Sequence, residues 1–212
     1  MAHEIRNPLT AITTFVEYLP QKYDDPKFRE DFQRILKGEV ARIRGIVQEL
    51  MDFSKPKPPN KEWINLDKII QDIVELLSKD LMSAKVTVKF EPAEAGEKVF
   101  ADPAQIKQVF LNIFINAIEA MKEHGGELGI DVSREGEWIR AAVTDSGCGI
   151  EKERIPRIFD PFYTKKDSGT GLGLAITHSI IEQHKGRIQV ESKVGKGTMF
   201  TIFLPASVGH AH

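Results

Sequence analysis

The sequence lacks a second cysteine, a long apolar run and an excess of charge of one sign. Cys148 is the only cysteine among 212 residues, so no disulfide can form within the chain. No apolar run reaches the ~20 residues of a membrane span, and no signal peptide opens the chain. The net charge of −2 provides no basic field for nucleic acid. A single cysteine is consistent with a reducing compartment. With 41% hydrophobic residues, the composition is that of a globular protein.

The first quarter of the chain has the apolar spacing of two helices. Between His3 and Leu19, apolar residues recur at intervals of three and four. The segment PQKYDDP, from Pro20 to Pro26, is expected to break this helix. A second helix is expected to run to about Phe53, with apolar residues seven apart as in a coiled coil. Such a hairpin buries its apolar stripes either by pairing into a dimeric four-helix bundle or by packing on the rest of the chain.

Three prolines in SKPKPPN, residues 54–60, predict a semi-rigid linker after the hairpin. We therefore expect a first domain at residues 1–55 and a linker at 56–64. A second domain is expected at 65–207, followed by a short tail at 208–212.

The second domain is predicted to be an α/β sandwich with helices on one face of its sheet, which makes the chain an α+β protein. Asp102 is expected to cap a helix that begins at Pro103 and runs to Met121. Further helices are expected at 67–80 and about 172–185, and strands at 86–90, 127–133, 138–144 and in a final hairpin around KVGKG.

The stretch DSGCGI, residues 145–150, follows a predicted strand. An acid there, Asp145, can accept a hydrogen bond in a dry pocket, while Gly147 and Gly149 permit a tight turn and close approach of a flat ligand. An ordinary β-turn explains the same letters, because Asp and Gly are common turn residues. Cys148 is expected to be inert packing.

Asn112 and Asn116 in NIFIN lie one turn apart on one face of an apolar helix. Amides on such a helix need partners. They are either satisfied core amides or carbonyl ligands of a hard cation such as Mg²⁺.

GTGLGLAI, residues 169–176, is similar to loops that bind phosphate with the amides at a helix N-terminus. Its spacing and the TKKDS before it exclude a Rossmann fingerprint. FDPFYTKK, residues 159–166, is either a surface loop or a mobile lid with cations for phosphates. GKGT, residues 195–198, is most simply a hairpin turn.

Six motifs follow one another along the chain: HExxNP, NxxxN, DxGxG, FxPF, GxGxGL and GxGT. Their order resembles that of the sensor histidine kinases of two-component signalling, over nearly the whole chain. HEIRNP and NAIEAM are most similar to the nitrogen-regulator and sporulation-kinase branch. The resemblance implies a dimerisation and histidine-phosphotransfer hairpin, followed by an ATP-binding domain of the gyrase–Hsp90–histidine kinase type.

The resemblance also implies partners and a place in the cell. It implies a cytoplasmic kinase core that forms a homodimer through the hairpin and passes phosphate to the receiver domain of a response regulator. A sensor or membrane domain is expected outside this chain. Only Met1 and Ala2 precede His3, so the first helix is expected to be short for the family and to dimerise poorly.

By this resemblance His3 is the phospho-acceptor, Glu4 the base that keeps it reactive, and Asn7 the residue that orients water in a phosphatase reaction. An unperturbed imidazole pKa of about 6.5 leaves much of the histidine neutral and nucleophilic at neutral pH. Pro8 is expected to bend the helix, because it gives no amide to the carbonyl of Glu4.

The resemblance assigns the nucleotide site as well. Asp145 is implied to bind the adenine amino group, and Asn112 and Asn116 to hold Mg²⁺, with Asn116 the more direct ligand. Glu119 departs from the family, which often has a basic residue there. The implied phosphate-binding and lid residues, beside Gly147 and Gly149, are Lys166, Gly169, Thr170, Gly171, Leu172 and Gly173.

Two other classes of protein remain as alternatives. An ATPase of the same superfold has a glutamate at the position of Asn112, where it activates water; asparagine cannot accept that proton. A nucleotide-binding regulatory module, either an inactive kinase or an anti-sigma relative, fits less well with intact nucleotide motifs and His3.

Overall fold

The computed structural model describes residues 2–54, 58–92, 97–164 and 169–206. The chain folds into two compact units. The first unit comprises Met1–Lys57 and Asp160–Gly173, and the second comprises Pro58–Phe159 and Leu174–His212. Among the described residues, no helix is both long and apolar enough to cross a bilayer.

The first unit is built on a helical hairpin of α1, Ala2–Lys22, and α2, Pro26–Ser54. Asp25 caps the second helix, since its Oδ1 accepts the Lys27 N–H at 2.9 Å. The predicted break within PQKYDDP is confirmed, since α1 ends at Lys22 and α2 begins at Pro26, although α1 continues through Pro20. Near the end of a helix, a proline sacrifices a single backbone hydrogen bond, here the one to the carbonyl of Val16.

The two helices of the hairpin pack through aromatic rings near the turn. The ring of Phe15 lies 5.7 Å from that of Phe28 and 6.1 Å from that of Phe32. Farther along α2, Ile46 is buried. The hairpin also leaves large apolar side chains exposed, namely Leu9, Val16, Tyr18, Tyr23, Val40, Val47 and Met51.

The second unit is the predicted α/β sandwich. Its helices are α3 (Leu66–Leu76), α4 (Ser78–Ser83), α5 (Pro103–Met121) and α6 (Gly173–Gln183). The first residue of α6, Gly173, is the last residue of the first unit. Its strands are β1 (Glu62–Asn65), β2 (Val86–Phe90), β3 (Lys98–Ala101), β4 (Gly126–Glu135), β5 (Trp138–Asp145), β6 (Arg187–Lys193) and β7 (Gly197–Pro205). A 3-10 turn occupies Ile155–Arg157.

Five strands form the main sheet in the order β2-β4-β5-β7-β6. Only β2 and β4 pair in parallel, and the other neighbours are antiparallel. Helix α5 packs against α3 and against the central strands β5 and β7. Its side chains Phe110 and Phe114 are fully buried, together with Ile70 and Ile73 of α3 and Leu128 of β4. Burying these apolar groups is the main force that holds the sandwich together.

Several sequence-based expectations are confirmed in this unit, and two need correction. Asp102 caps α5 through Ala104 N–H at 2.9 Å, with Pro103 at the first helical position. The single helix expected at 67–80 is instead two helices, because the backbone of Leu77 departs from helical geometry at φ −90° and ψ 7°. A small sheet of β1 and β3 was not expected at all.

The first residues of the second unit, around Asn60 and Lys61, are hydrogen-bonded to the start of α5 and the end of α6. The Asn60 N–H donates to Asp102 Oδ2 at 2.8 Å, and Lys61 Nζ donates to the Gln183 carbonyl at 2.9 Å. The Asp102 N–H donates to Nε2 of His184 at 3.0 Å. This nitrogen can accept only while the imidazole is neutral, so the junction needs an uncharged His184.

Acid should destabilise the second unit through His184. Burial lowers the pKa of His184 below 6.5, and the positive charge of Lys61 lowers it further. The Ile180 carbonyl and Asp102 act in the opposite direction but do not cancel the effect on this pKa. Because the folded state then binds fewer protons than the unfolded state, the stabilisation is complete above pH 6.5 and is lost as the pH falls through the folded pKa. We expect the unfolding temperature to fall as the pH drops from about 7 to 5, because protonated His184 can no longer accept the Asp102 N–H.

Thermal unfolding followed by circular dichroism across this pH range tests the prediction. A His184→Gln variant should lose part of the pH slope, whatever its absolute stability. His124→Gln is the matched control, because the His124 side chain is 91% exposed. An unchanged slope in His184→Gln would contradict the assignment.

Candidate nucleotide site

Asp145 ends β5 as a buried acid, with only 5% of the residue exposed. Its Oδ1 accepts the Gly147 N–H at 2.9 Å and the Thr198 N–H at 3.3 Å. Burial raises the pKa of the Asp145 carboxyl, and these two hydrogen bonds oppose the rise by stabilising the charged form. In the described part of the chain, both hydrogen bonds to this carboxylate end on Oδ1. Oδ2 is therefore the oxygen that an amino group of a ligand could reach.

A chain of hydroxyl groups supports Asp145 from the last hairpin. Thr198 lies opposite Asp145 in the β5–β7 register and is buried. Its Oγ1 lies 2.9 Å from Oγ of Ser192, which donates to the Gly197 carbonyl at 2.9 Å and accepts the Ile150 N–H at 2.8 Å. Since Ser192 has one hydroxyl proton, Thr198 must be the donor in their shared bond. GKGT is thus a turn that also orders the loop after Asp145.

The glycines of DSGCGI let this loop approach other backbone segments. Gly149 has φ +71°, and a side chain there would collide with the carbonyl of Lys193. A side chain at Gly147 would lie 2.7 Å from the carbonyl oxygen of Ala120, near the end of α5. The same carbonyl accepts the Cys148 N–H at 3.1 Å. The Cys148 side chain is exposed, so the expected packing role is wrong.

Asn112 and Asn116 lie half-buried on one face of α5, and Glu119 lies exposed one turn further on. Nδ2 of Asn112 donates to Oγ1 of Thr177 on α6 at 3.3 Å. Thr177 is fully buried. Since Ala120 of the same helix bonds the loop after Asp145, this end of α5 joins the amide pair to that loop.

The glycine loop before α6 belongs to the first unit and is bonded within it. The Thr170 hydroxyl donates to the carboxylate of Glu49 on α2 and accepts the Leu172 N–H at 3.2 Å. The carbonyl of Gly171 accepts the Phe162 N–H at 3.0 Å. Gly171 has φ +67°, and a side chain there would lie 2.6 Å from the backbone of Phe162. The FxPF segment therefore helps to shape the loop.

The other predicted site residues are distributed as follows. His3 and Glu4 lie in the first turn of α1, and their side chains lie outside the described part of the structure. Asn7 lies exposed one turn later on the same helix. Lys166 lies outside the described residues. Gly169 precedes the bonded part of the glycine loop, and Gly173 begins α6.

Sequence reasoning missed three residues that bond to predicted site residues. Thr198 was assigned only to a turn, although the GxGT motif gave a signal for it. Thr177 and Glu49 had no signal, because neither belongs to a recognisable motif. Across the described residues, no group of three His, Cys, Asp or Glu side chains is arranged to hold a metal.

Two family models match the chain. Residues 101–208 match the model described as Histidine kinase-, DNA gyrase B-, and HSP90-like ATPase. Residues 1–59 match His Kinase A (phospho-acceptor) domain. Together the two matches cover the hairpin with His3 and the part of the sandwich with Asp145 and the amide pair.

Curated relatives and solved structures are similar over nearly the whole chain. Sensor histidine kinase ZraS of Escherichia coli (strain K12) is 36% identical over 98% of this chain and 44% of its own length. Signal transduction histidine-protein kinase AtoS of the same strain is 38% identical over 97% of this chain and 34% of its own length. The chain therefore spans less than half of these relatives. The crystal structure of histidine kinase ThkA in complex with response regulator protein TrrA superposes with a TM-score of 0.79 at 32% identity, covering 97% of this chain and 60% of that one.

Proposed function

Because the chain belongs to the sensor histidine kinase family, we propose that it binds ATP with Mg²⁺ and phosphorylates His3. We propose further that it passes this phosphoryl group to an aspartate of a response regulator. The observation that carries the proposal is Asn112 on α5 combined with the buried acid Asp145. An asparagine there can bind and orient, whereas hydrolysis needs a base.

Asp145 would select the base of the nucleotide. Its charged carboxylate accepts a hydrogen bond from the amino group of adenine. Guanine presents a carbonyl oxygen at the same position, and the carboxylate repels that oxygen. Gly147 and Thr198 support this role, because their N–H groups hold Oδ1 in place. A fixed acceptor loses little freedom when the ligand binds.

The donor set on α5 suits Mg²⁺. This ion prefers oxygen ligands and usually binds through few protein groups, with phosphates and water completing its shell. Asn112 and Asn116 offer two amide oxygens from one helix face. When bound, Mg²⁺ supplies charge neutralisation for the phosphates. Glu119, one turn further on, is acidic and cannot neutralise a phosphate, so we assign the phosphate cation to Lys166.

The glycine loop would hold the phosphates. Backbone N–H groups from Gly169 to Gly173 lead into the N-terminus of α6, and such helix starts favour anions. Thr170 already uses its hydroxyl on Glu49 and Leu172. The loop therefore contributes to binding mainly through its backbone.

The phosphoryl transfer itself needs position more than covalent help. An imidazole nitrogen of His3 forms a bond to the γ-phosphorus as the bond from that phosphorus to the β–γ bridging oxygen breaks, leaving ADP. Glu4 takes the proton from the imidazole. In the second step the phosphoryl group moves from His3 to the regulator: a bond forms between an aspartate oxygen and phosphorus as the bond from phosphorus to the imidazole nitrogen breaks. The imidazole then recovers a proton.

The regulator and the dimer are parts of the same proposal. ThkA, a similar histidine kinase, has been solved with the response regulator TrrA, which supports a receiver domain as partner. Asn7 lies four residues after His3, so it can orient water against a phosphorylated regulator as a phosphatase. On the hairpin, the exposed Leu9, Val16 and Tyr23 recur every seven residues, which suits a four-helix bundle of two copies. Because the chain spans less than half of ZraS and AtoS, we propose that a sensing part lies outside these residues.

The test is to incubate the chain with Mg²⁺ and γ-labelled ATP and to follow protein-bound label and released phosphate together. We expect acid-labile, base-stable label, little phosphate release and no label from γ-labelled GTP. Rapid release without label would instead identify an ATPase of the same superfold. Binding of ATP with neither label nor release would identify a regulatory nucleotide-binding module.

A further inference from the structure

Thr177 is a buried polar residue on an otherwise apolar part of α6. It has no solvent exposure, and its neighbours Ile176, Ile180 and Ile181 are buried core residues. A hydroxyl in such surroundings needs a hydrogen-bond partner, since a buried group without one costs free energy. The partner recorded in the structure is Nδ2 of Asn112, at 3.3 Å.

We propose that Thr177 is a positioning residue for the Mg²⁺ site, because its hydroxyl accepts a hydrogen bond from the Asn112 amide and thereby turns the amide oxygen towards the metal. This inference rests on the proposed binding of Mg²⁺ and nucleotide. Thr177 itself contacts neither.

The physical reason lies in the geometry of an amide. Rotation about the last side-chain bond of asparagine is broad and roughly two-fold, so an unrestrained amide can present either oxygen or nitrogen to a ligand. Only the oxygen binds a hard cation. A partner that holds the nitrogen therefore fixes the oxygen on the other branch of the planar group.

In this contact the Nδ2 of Asn112 donates and the hydroxyl oxygen of Thr177 accepts. An amide nitrogen can only donate, whereas a hydroxyl oxygen has lone pairs that accept. The contact therefore holds the nitrogen branch of the Asn112 amide.

The test measures nucleotide binding and not turnover. Calorimetry with a non-hydrolysable ATP analogue is done in saturating Mg²⁺ and again in chelator, and Mg²⁺ is titrated at fixed nucleotide. Thr177→Val keeps the shape and removes the hydroxyl, whereas Thr177→Ser keeps the hydroxyl. Thr177→Ala repeats the test if valine folds poorly, and Thr201→Val is the control at another buried threonine.

We expect Thr177→Val to raise the Mg²⁺ concentration for half-saturation roughly tenfold or more, the usual range for losing the partner of a metal ligand. Affinity in chelator should stay within about twofold of the parent chain, and Thr177→Ser should restore Mg²⁺ dependence. An equal loss with and without Mg²⁺, or no loss, would overturn the positioning role. A parent chain that binds no nucleotide at all would instead overturn the proposed function.

Discussion

A His3→Gln variant should carry no acid-labile label after incubation with Mg²⁺ and γ-labelled ATP. Glutamine is neutral and similar in size to histidine, but its amide nitrogen is not a nucleophile. Removing the nucleophile of a covalent mechanism costs at least about a thousandfold in rate. Nucleotide affinity should stay within about twofold, because no predicted nucleotide ligand is changed. The measurement pairs the label assay with calorimetry on the same preparation.

The chain offers a matched control for this substitution. His124 lies on the surface with 91% of its side chain exposed, so His124→Gln changes the same residue type without touching the proposed acceptor. It should label like the parent chain. Label that survives in His3→Gln would place the acceptor elsewhere among the six histidines or on another residue type.

The combination of lost label and retained binding separates chemistry from folding. A variant that loses both has lost its fold or its nucleotide site, and thermal unfolding distinguishes these cases. A variant that loses only the label shows that His3 acts after binding. That result would also argue against the ATPase alternative, in which the hairpin histidine has no role.

Much of the fold was predictable because local signals agreed with one another. The cap at Asp102 and the proline after it both predict the start of α5, and the structure confirms it. The alternating residues of β2 and the turns of the two final hairpins likewise predict their strands. Where propensity, capping and periodicity coincide, the sequence has few competing structures.

The misses come from effects that are not local. The segment PQKYDDP does end α1, but two residues after Pro20, because the cost of one hydrogen bond near a terminus is small. Nothing in the sequence around Leu77 announces the break between α3 and α4. The strands β1 and β3 are four residues each and lie far apart in sequence, so their pairing gives no short-range pattern.

The candidate site divides in the same way. Motif letters point to Asp145 and to the amides of α5, because those residues recur at fixed spacing. Thr177, Ser192 and Glu49 bond to motif residues from other elements, and only the folded chain brings them there. Supporting residues of this kind belong to the tertiary structure, so single-sequence reasoning does not find them.

Asp145→Asn should weaken ATP binding by about tenfold to a hundredfold without lowering stability. The substitution replaces a charged acceptor of the adenine amino group with a neutral amide, and hydrogen bonds to charged groups are worth about 1.5–3 kcal/mol. Its amide oxygen can still accept the N–H groups of Gly147 and Thr198, so the loop keeps its supports. Calorimetry with ATP and GTP, beside thermal unfolding, gives both quantities.

The stability half of this prediction follows from the raised pKa of Asp145. Burial raises that pKa, so the folded state holds the proton more tightly than the unfolded state does. The ionised carboxylate is therefore a net cost to folding at neutral pH, and a neutral asparagine removes it. Asp145→Asn should unfold at the same temperature as the parent chain or higher. Asp72→Asn, at an exposed acid on α3, is the control for loss of one charge.

Selectivity provides the sharper test of the same residue. An asparagine can donate to the carbonyl of guanine, which the carboxylate repels, so Asp145→Asn should narrow the preference for ATP over GTP. Asp145→Ala, which removes the acceptor altogether, should abolish adenine recognition. It should also leave the N–H groups of Gly147 and Thr198 without their hydrogen-bond acceptor. Unchanged ATP affinity in both variants would mean that the base binds elsewhere. If Asp145→Asn lost affinity and also unfolded at a lower temperature, the acid would be stabilising the fold. Replacing a residue that is retained for binding at a cost in stability should instead leave the unfolding temperature the same or higher.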